Sequence, residues 1–255
     1  SEFVKILFVF FTASMFAKST QFSQVCKATM VAAVHVLVLV VSKDLGAALI
    51  FFITYLVMLY VATRNPFYFI SGLVSGSAAS ILAYQLFRHV RVRVTAWKDP
   101  LSVINDEGYQ VCQSLFAIGT GGWFGMGLYQ GMPNKIPIVE EDFVFAAVSE
   151  ELGGIFAICL IMVCASCYLM FLNIAMQMHD QFYKLIALGL GTVYGFQVFL
   201  TVGGVTKFIP STGVTLPLVS YGGSSLLSTF IIFAVIQGLY ILREDGEEFD
   251  ERLDS

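Results

Sequence analysis

The chain has 255 residues, of which 57% are hydrophobic and 13% are charged. Thirteen of the charged residues lie between Arg88 and Glu151, and nine more lie between Arg243 and Asp254. This distribution excludes a soluble globular domain, which would spread charge over its whole surface. The net charge is −4, and nothing in the sequence resembles a nucleic-acid-binding surface or a P-loop.

Long apolar runs predict an all-α fold, a polytopic transmembrane helix bundle of about seven spans with short amphipathic helices in one long loop. A helix needs roughly 20 apolar residues to cross a bilayer. The first two runs are shorter than this, and the chain begins at Ser1, so we expect further spans to precede it. The apolar runs are 3–17, 28–41, 45–62, 67–87, 143–172, 182–206 and 216–242.

Basic residues in short loops predict the orientation, because such residues favour the cytoplasmic side. Five of them share one side, namely Lys18, Lys27, Arg64, Lys184 and Arg243, and two share the other, Lys43 and Lys207. We therefore expect four spans in 1–87, an extracytoplasmic charged loop at 88–141, three spans in 142–242 and an acidic cytoplasmic tail at 243–255.

The charged loop begins with a segment in which Arg91 and Arg93 alternate with valines, which predicts an extended or amphipathic segment at the membrane surface. It could anchor on lipid headgroups or bind the phosphates of a lipid, since arginine makes bidentate contacts to phosphate oxygens. Lys98 and Lys135 add further positive charge. A glycine-rich stretch at 119–127 would let the backbone approach a ligand or another helix closely.

Carboxylates at the start of the fifth run are the most specific signal. Asp142 stands at its mouth, and Glu150 and Glu151 lie roughly 12–14 Å further along a continuous helix. Acidic groups inside a membrane helix are costly and normally face a cavity or a partner. Capping of the helix N-terminus would explain Asp142 but not Glu150 and Glu151, so the pattern favours a polar cavity open to the outer face.

Two other polar features belong near that cavity. Glu2 and Lys5 share one helical face because they are three residues apart, and with Asp44 they predict a structural charge cluster, with a direct substrate role as the alternative. Prolines 210 and 217 interrupt the approach to the last run, which is tolerated in membranes only where the backbone is buried or lines water. Ser220, just beyond, either packs helices or lines the pocket.

These pieces, in this order, resemble the SEDS family (shape, elongation, division and sporulation) of FtsW and RodA type. The resemblance covers essentially the whole chain, except that KIPIVEEDF is shorter than the usual family segment before Asp142. Members have ten spans, so this chain resembles spans four to ten. The matching stretches are SEFVK at 1–5, DLG at 44–46, GYQ at 108–110, QSLFAIGTGG and GMGL after it, DFVFAAVSEELG at 142–153 and STGVTLPLVSYGGSSLL at 211–227.

The resemblance implies polymerisation of lipid II into peptidoglycan strands at the bacterial plasma membrane. The family's proposed catalytic aspartate falls on Asp142, which we expect to act as general base. Arg91, Arg93 and Lys135 would stabilise the departing diphosphate. Lys98, Glu150, Glu151 and Ser220 complete the predicted substrate-binding residues.

The implied partner is a class B penicillin-binding protein that supplies transpeptidation. No cofactor is certain and no metal-ligand spacing is present, although a divalent cation, Mg²⁺ or Mn²⁺, could share the charge on the leaving group. Two other functions stay open from the sequence: a lipid II transporter that flips the lipid without joining sugars, and a non-catalytic division scaffold.

Overall fold

The computed structural model describes residues 1–106 and 108–254, with side chains described as far as Glu244. Every regular element in this part of the chain is helical, which confirms the all-α prediction. A short 3₁₀ turn, Pro133–Lys135, lies between α6 and α7. The helices are α1 Glu2–Lys18, α2 Phe22–Val41, α3 Leu45–Thr63, α4 Pro66–Leu86, α5 Arg88–Lys98, α6 Tyr109–Gly121, α7 Val144–Gln177, α8 Gln181–Val205 and α9 Gly223–Asp254.

Six of the described helices are long and apolar enough to cross a membrane, and together they make this a multi-pass membrane protein: α2, α3, α4, α7, α8 and α9. The remaining apolar run forms α1, which has 17 residues and so is at the lower limit for a span. The second apolar run is shorter than the helix that contains it. Its helix starts at Phe22 and has 20 residues, because polar Ser23, Gln24 and Lys27 occupy its first turns.

Helix α8 lies at the centre of the bundle and packs against α1, α3 and α7. Gly189 lets α8 approach α1 closely, since a Cβ at this position would lie 2.6 Å from Val9 Cγ1. Helix α4, by contrast, has no buried residue, and it contacts the core through the partly buried side chains of Tyr68 and Phe69. The interior of the bundle therefore lies between α1, α3 and α8. The polar residues described below lie at the N-terminal ends of α1 and α3 and in the C-terminal half of α8.

Helix α7 is not the continuous span that its apolar run predicted. Gly153 has φ 84° and ψ 171°, and it separates a short first segment from the long remainder of the helix. The amide of Met126 donates to the Glu150 carbonyl (2.9 Å), and the amide of Gly154 donates to the Gly122 carbonyl (2.8 Å). The glycine-rich loop thus pairs with the backbone at the break, so Glu150 and Glu151 end a short helix rather than lie midway along a straight one.

Helix α5 settles the choice between an extended and an amphipathic segment in favour of a helix. Arg93 Nη1 donates to the Thr212 carbonyl at 2.9 Å, and Trp97 Nε1 donates to the Lys207 carbonyl at 3.1 Å. Both acceptors belong to the segment 206–222, which is not helical, as its prolines predict. Two long-range hydrogen bonds therefore hold the charged helix against the α8–α9 connection.

Beyond the apolar part of α9, the helix continues to Asp254. The side chains of the acidic tail after Glu244 lie outside the described residues. The boundaries placed at residues 87 and 141 lie near the end of α4 and the start of α7, whereas the boundary at 242 lies inside α9. The division into these parts, and the side of the membrane assigned to each, stay predictions.

Candidate active site

Asp142 lies where three distant segments meet: helix α5, the residues just before α7, and the α8–α9 connection. Gly213, which has φ +70°, marks the meeting point. A Cβ at Gly213 would lie 3.7 Å from Asp142 Oδ2 and 3.8 Å from Arg93 Nη2. The carboxylate and the guanidinium are thus neighbours, and in the described chain no salt bridge of 4 Å or less joins them.

The environment of Asp142 raises the pKa of its carboxyl group. Removal from water by burial is the largest cause, and the neighbouring Glu141 carboxylate adds to it. A backbone hydrogen bond of Asp142 itself and the charge of Arg93 act in the opposite direction. A carboxylate with a raised pKa is a stronger base than an ordinary aspartate, and this is the property that a proton acceptor in catalysis requires.

A cavity of about 330 Å³ adjoins this point. Gly213 belongs to its wall, which connects it with Asp142 and Arg93, and the predicted charge cluster forms another part of the wall. The other polar residues that line the cavity are Ser1, Glu2, Lys5, Asp44, Glu141, Thr215, Tyr221, Ser224 and Ser225.

Lys5 is buried, with only 2% of its surface exposed. Its Nζ donates to Glu2 Oε1 at 2.9 Å and to Gln197 Oε1 at 2.8 Å. Ser228 Oγ donates to Glu2 Oε2 at 3.0 Å. Asp44 instead caps α3, accepting from the Ala47 amide at 3.0 Å. The charges of Glu2 and Lys5 therefore join α1 to α8 and α9.

Gln197 is a residue that sequence reasoning missed. It is 3% exposed, and its Nε2 donates to the Thr215 carbonyl at 3.1 Å. Gln197 therefore links Lys5 to the α8–α9 connection through hydrogen bonds. The available signal was a lone amide within the apolar run 182–206. Its partners are far away in the sequence, and for this reason the run by itself gave no indication of its role.

Ser220 has a structural contact in the cavity region. Its Oγ accepts from the Leu216 amide at 2.8 Å, which closes a turn after Pro217. The next amide, of Tyr221, donates to the Glu140 carbonyl at 2.7 Å. This turn positions the α8–α9 connection against the residues before α7, and a substrate contact for Ser220 stays a prediction.

The predicted cations do not all gather at Asp142. Arg93 is half-buried beside it, whereas Arg91 and Lys98 are exposed elsewhere on α5. Lys135 and Glu150 line a second cavity. Glu151 is half-buried at the α7 break, where its carbonyl accepts from the Gly127 amide at 3.0 Å. The structure thus brings Asp142 together with Arg93 and places Lys135 with Glu150.

Among the described residues, no group of three His, Cys, Asp or Glu side chains is arranged to hold a metal ion. A divalent cation at the site stays a prediction, because Mg²⁺ commonly binds one or two carboxylates together with substrate phosphates. Glu141, which lines the cavity next to Asp142, would be the ligand from this chain.

A family model described as a cell cycle protein, covering FtsW, RodA and SpoVE, matches residues 1–243. The chain belongs to this family. The long match includes every residue of the site described above. It confirms the resemblance on which the assignment of Asp142 depends.

Curated relatives carry names from all three branches of the family. Peptidoglycan glycosyltransferase RodA of Mycobacterium tuberculosis (strain H37Rv) is 40% identical over 252 residues, which are 92% of this chain and 54% of the relative. Stage V sporulation protein E of Bacillus subtilis is 33% identical over 247 residues, 92% of this chain and 66% of the relative. The chain therefore spans about half the length of the RodA relatives that it matches.

One solved structure has the same fold. It belongs to a peptidoglycan synthase complex described as coordinating polymerization and crosslinking, and it aligns with a TM-score of 0.77. The alignment covers 95% of this chain and 69% of that one, at 23% sequence identity. At this identity the likeness shows the fold alone.

Proposed function

We propose that this chain carries the catalytic centre of a peptidoglycan glycosyltransferase that polymerises lipid II. The observation that carries the proposal is the partly buried carboxylate of Asp142, which lies near Arg93 and next to Gly213 in the wall of a polar cavity. The relatives named as peptidoglycan glycosyltransferases support the reaction class. The plasma membrane is the corresponding location, with the C-terminus in the cytoplasm.

The chemistry requires one base and stabilisation of one anion. Asp142 Oδ2 accepts the proton of the acceptor sugar hydroxyl, and the freed oxygen attacks the anomeric carbon of the donor sugar. The new glycosidic bond forms as the bond from that carbon to the lipid pyrophosphate breaks, with inversion. The pyrophosphate leaves with the electron pair, and the Arg93 guanidinium stabilises its growing negative charge.

The roles of the other predicted residues follow from their positions. Arg91 and Lys98, exposed on α5, would meet the pyrophosphate as it arrives from the lipid surface. A divalent cation bound to the pyrophosphate and held by Glu141 would supply further positive charge to the leaving group, while Asp142 stays free to act as the base. A class B penicillin-binding protein is the partner that would crosslink the product, consistent with the synthase complex that shares this fold.

A reconstitution assay tests the proposal. The full chain in liposomes with labelled lipid II is expected to produce glycan polymer, and Asp142→Asn to lower the rate about 100-fold or more, because the amide cannot accept the proton. Glu140→Gln, at an exposed neighbouring carboxylate, is the matched control and should retain the rate. Addition of EDTA tests the cation separately.

Two results would contradict the proposal. Polymer formed at an undiminished rate by Asp142→Asn would remove the general base. Exchange of lipid II between leaflets without polymer formation by the unmodified chain would support the transporter instead.

A further inference from the structure

A second cavity, of about 550 Å³, lies between α6, the 3₁₀ turn and the first segment of α7. We call it the α6–α7 cleft. Its size is within the range of pockets that enclose a small molecule, roughly 300–1,000 Å³. The residues that give it chemical character are Tyr109, Gln113, Phe116, Gln130, Lys135 and Glu150.

Glu150 is the unusual member of this set. It is 7% exposed, and its Oε2 has no hydrogen-bond partner among the described residues. Such a buried acceptor costs free energy unless a donor reaches it. A Cβ at Gly131 would lie 3.0 Å from this oxygen, so the loop backbone approaches the carboxylate closely on one side. The carboxylate is therefore held in place while Oε2 accepts no hydrogen bond from the described residues, which indicates that a ligand supplies the donor.

The rest of the lining indicates the kind of donor. One carboxylate and one ammonium give the cleft no net charge, which makes it a poor site for pyrophosphate. The amides of Gln113 and Gln130 both donate and accept hydrogen bonds. Phe116 is 48% exposed and Tyr109 37% exposed, so both rings offer accessible apolar faces. An acetamido sugar combines the groups that this lining requires. Its hydroxyls can donate to Glu150, its amide can pair with the glutamines, and its apolar ring face can pack on the aromatic rings.

Between Asp142 and Glu150 in the chain, Phe143, Phe145 and Ala146 are buried. Eight positions along the chain separate Asp142 from Glu150, roughly 12 Å along a helix. A glycan strand that extends from the Asp142 site could therefore reach the cleft. The cleft would then hold sugars that were joined before the newest glycosidic bond.

We propose that the α6–α7 cleft is a glycan-binding subsite, in which Glu150 accepts hydrogen bonds from sugar hydroxyls of the polymer. This inference rests on the proposed function, which supplies the polymer. The cleft would retain the chain between successive additions, so its loss would shorten the product.

Binding of an uncharged oligosaccharide tests the subsite without catalysis. The probe is a β-1,4-linked tetrasaccharide of N-acetylglucosamine, titrated calorimetrically into the full chain in lipid nanodiscs. We expect binding by the unmodified chain. Glu150→Gln should weaken it about tenfold, since one charged acceptor is lost. Phe116→Ala, at an exposed position that leaves the bundle interior unchanged, should weaken it as well.

Glu140→Gln is the matched control and should bind the tetrasaccharide as the unmodified chain does. In the polymerisation assay, Glu150→Gln is expected to shorten the glycan strands. Absence of tetrasaccharide binding by the unmodified chain would overturn the inference. So would binding by Glu150→Gln and by Phe116→Ala that is as tight as binding by the unmodified chain.

The two proposals fail separately. An unmodified chain that binds the tetrasaccharide but makes no polymer contradicts the proposed function. Asp142→Asn, in contrast, is expected to bind the tetrasaccharide without making polymer. A chain that polymerises lipid II but does not bind the tetrasaccharide contradicts the glycan subsite alone.

Discussion

Glu2 and Glu150 are both acidic residues in apolar helices, yet the fold treats them differently. Glu2 accepts from Lys5 Nζ and from Ser228 Oγ, so both of its oxygens have donors. Glu150 Oε2 has none among the described residues. At the cavity near Asp142, the protein therefore supplies donors to both oxygens of the Glu2 carboxylate. In the α6–α7 cleft, no described residue donates to Glu150 Oε2.

This difference indicates two roles for a buried carboxylate, a group that costs free energy to remove from water. A paired buried charge fixes the position of helices, and its removal exposes the partner to the full cost of burial. An unpaired buried charge adds nothing to stability, and its retention is explained by a ligand. Changes at the first site should therefore affect stability, and changes at the second should affect binding.

The largest effect is expected from Lys5→Met. The substitution leaves the Glu2 carboxylate and the Gln197 amide without their shared donor, and we expect a loss of about 3 kcal/mol in the free energy of unfolding. Unfolding in mixed detergent micelles measures it. The double variant Glu2→Gln/Lys5→Met should recover part of the loss. A Lys5→Met protein as stable as the unmodified one would show that the network does not stabilise the bundle.

Next in size is Gly153→Ala at the α7 break. The φ of 84° is strained for any side chain, and a Cβ there would lie 2.3 Å from the Gly125 amide nitrogen. We expect a loss of about 2 kcal/mol in the free energy of unfolding, together with weaker tetrasaccharide binding, because the break shapes the cleft. Gly119→Ala is the control, since a Cβ at Gly119 meets nothing within 4 Å. Equal stability of the two variants would contradict the tight contact.

Arg93→Gln should lower the polymerisation rate about tenfold, because it removes positive charge near the leaving group. Burial raises the pKa of Asp142, so the rate of the unmodified protein should fall on acidification at a pH above that of an ordinary aspartate. Arg93 opposes this rise in pKa, so its loss should move the fall to still higher pH. A pH profile of the initial rate measures both effects.

Arg88→Gln, an exposed substitution at the start of the same helix, is the control for this profile. If Arg93→Gln and Arg88→Gln give the same profile, the charge of Arg93 does not act on Asp142.

The smallest stability effect is expected from Glu150→Gln. The variant replaces an unpartnered carboxylate with a neutral amide, so the free energy of unfolding should stay the same or rise by about 1 kcal/mol. The same micelle measurement used for Lys5→Met makes the comparison direct. A loss as large as that of Lys5→Met would mean that Glu150 has a structural partner, and the contrast between the two sites would be lost.

The sequence by itself determined the helical membrane fold, because hydropathy over some twenty residues is a local property that decides whether a helix can enter lipid. It also determined the family, since the stretches 142–153 and 211–227 are contiguous. Asp142 was found in this way. The break in α7 was hidden, because the pair Gly153 and Gly154 in an apolar run is compatible with a continuous helix.

Tertiary structure alone decided which charges act together. Arg91 and Arg93 look alike in sequence, and only the hydrogen bond from Arg93 to Thr212, across 119 positions, brings one of them to Asp142. Lys5 and Gln197 are separated by 192 positions, so no local pattern could pair them. Chain topology brings groups that are distant in sequence together. For this reason the sequence could supply Asp142 as the catalytic candidate, but it could not show which of the predicted cations lies beside it.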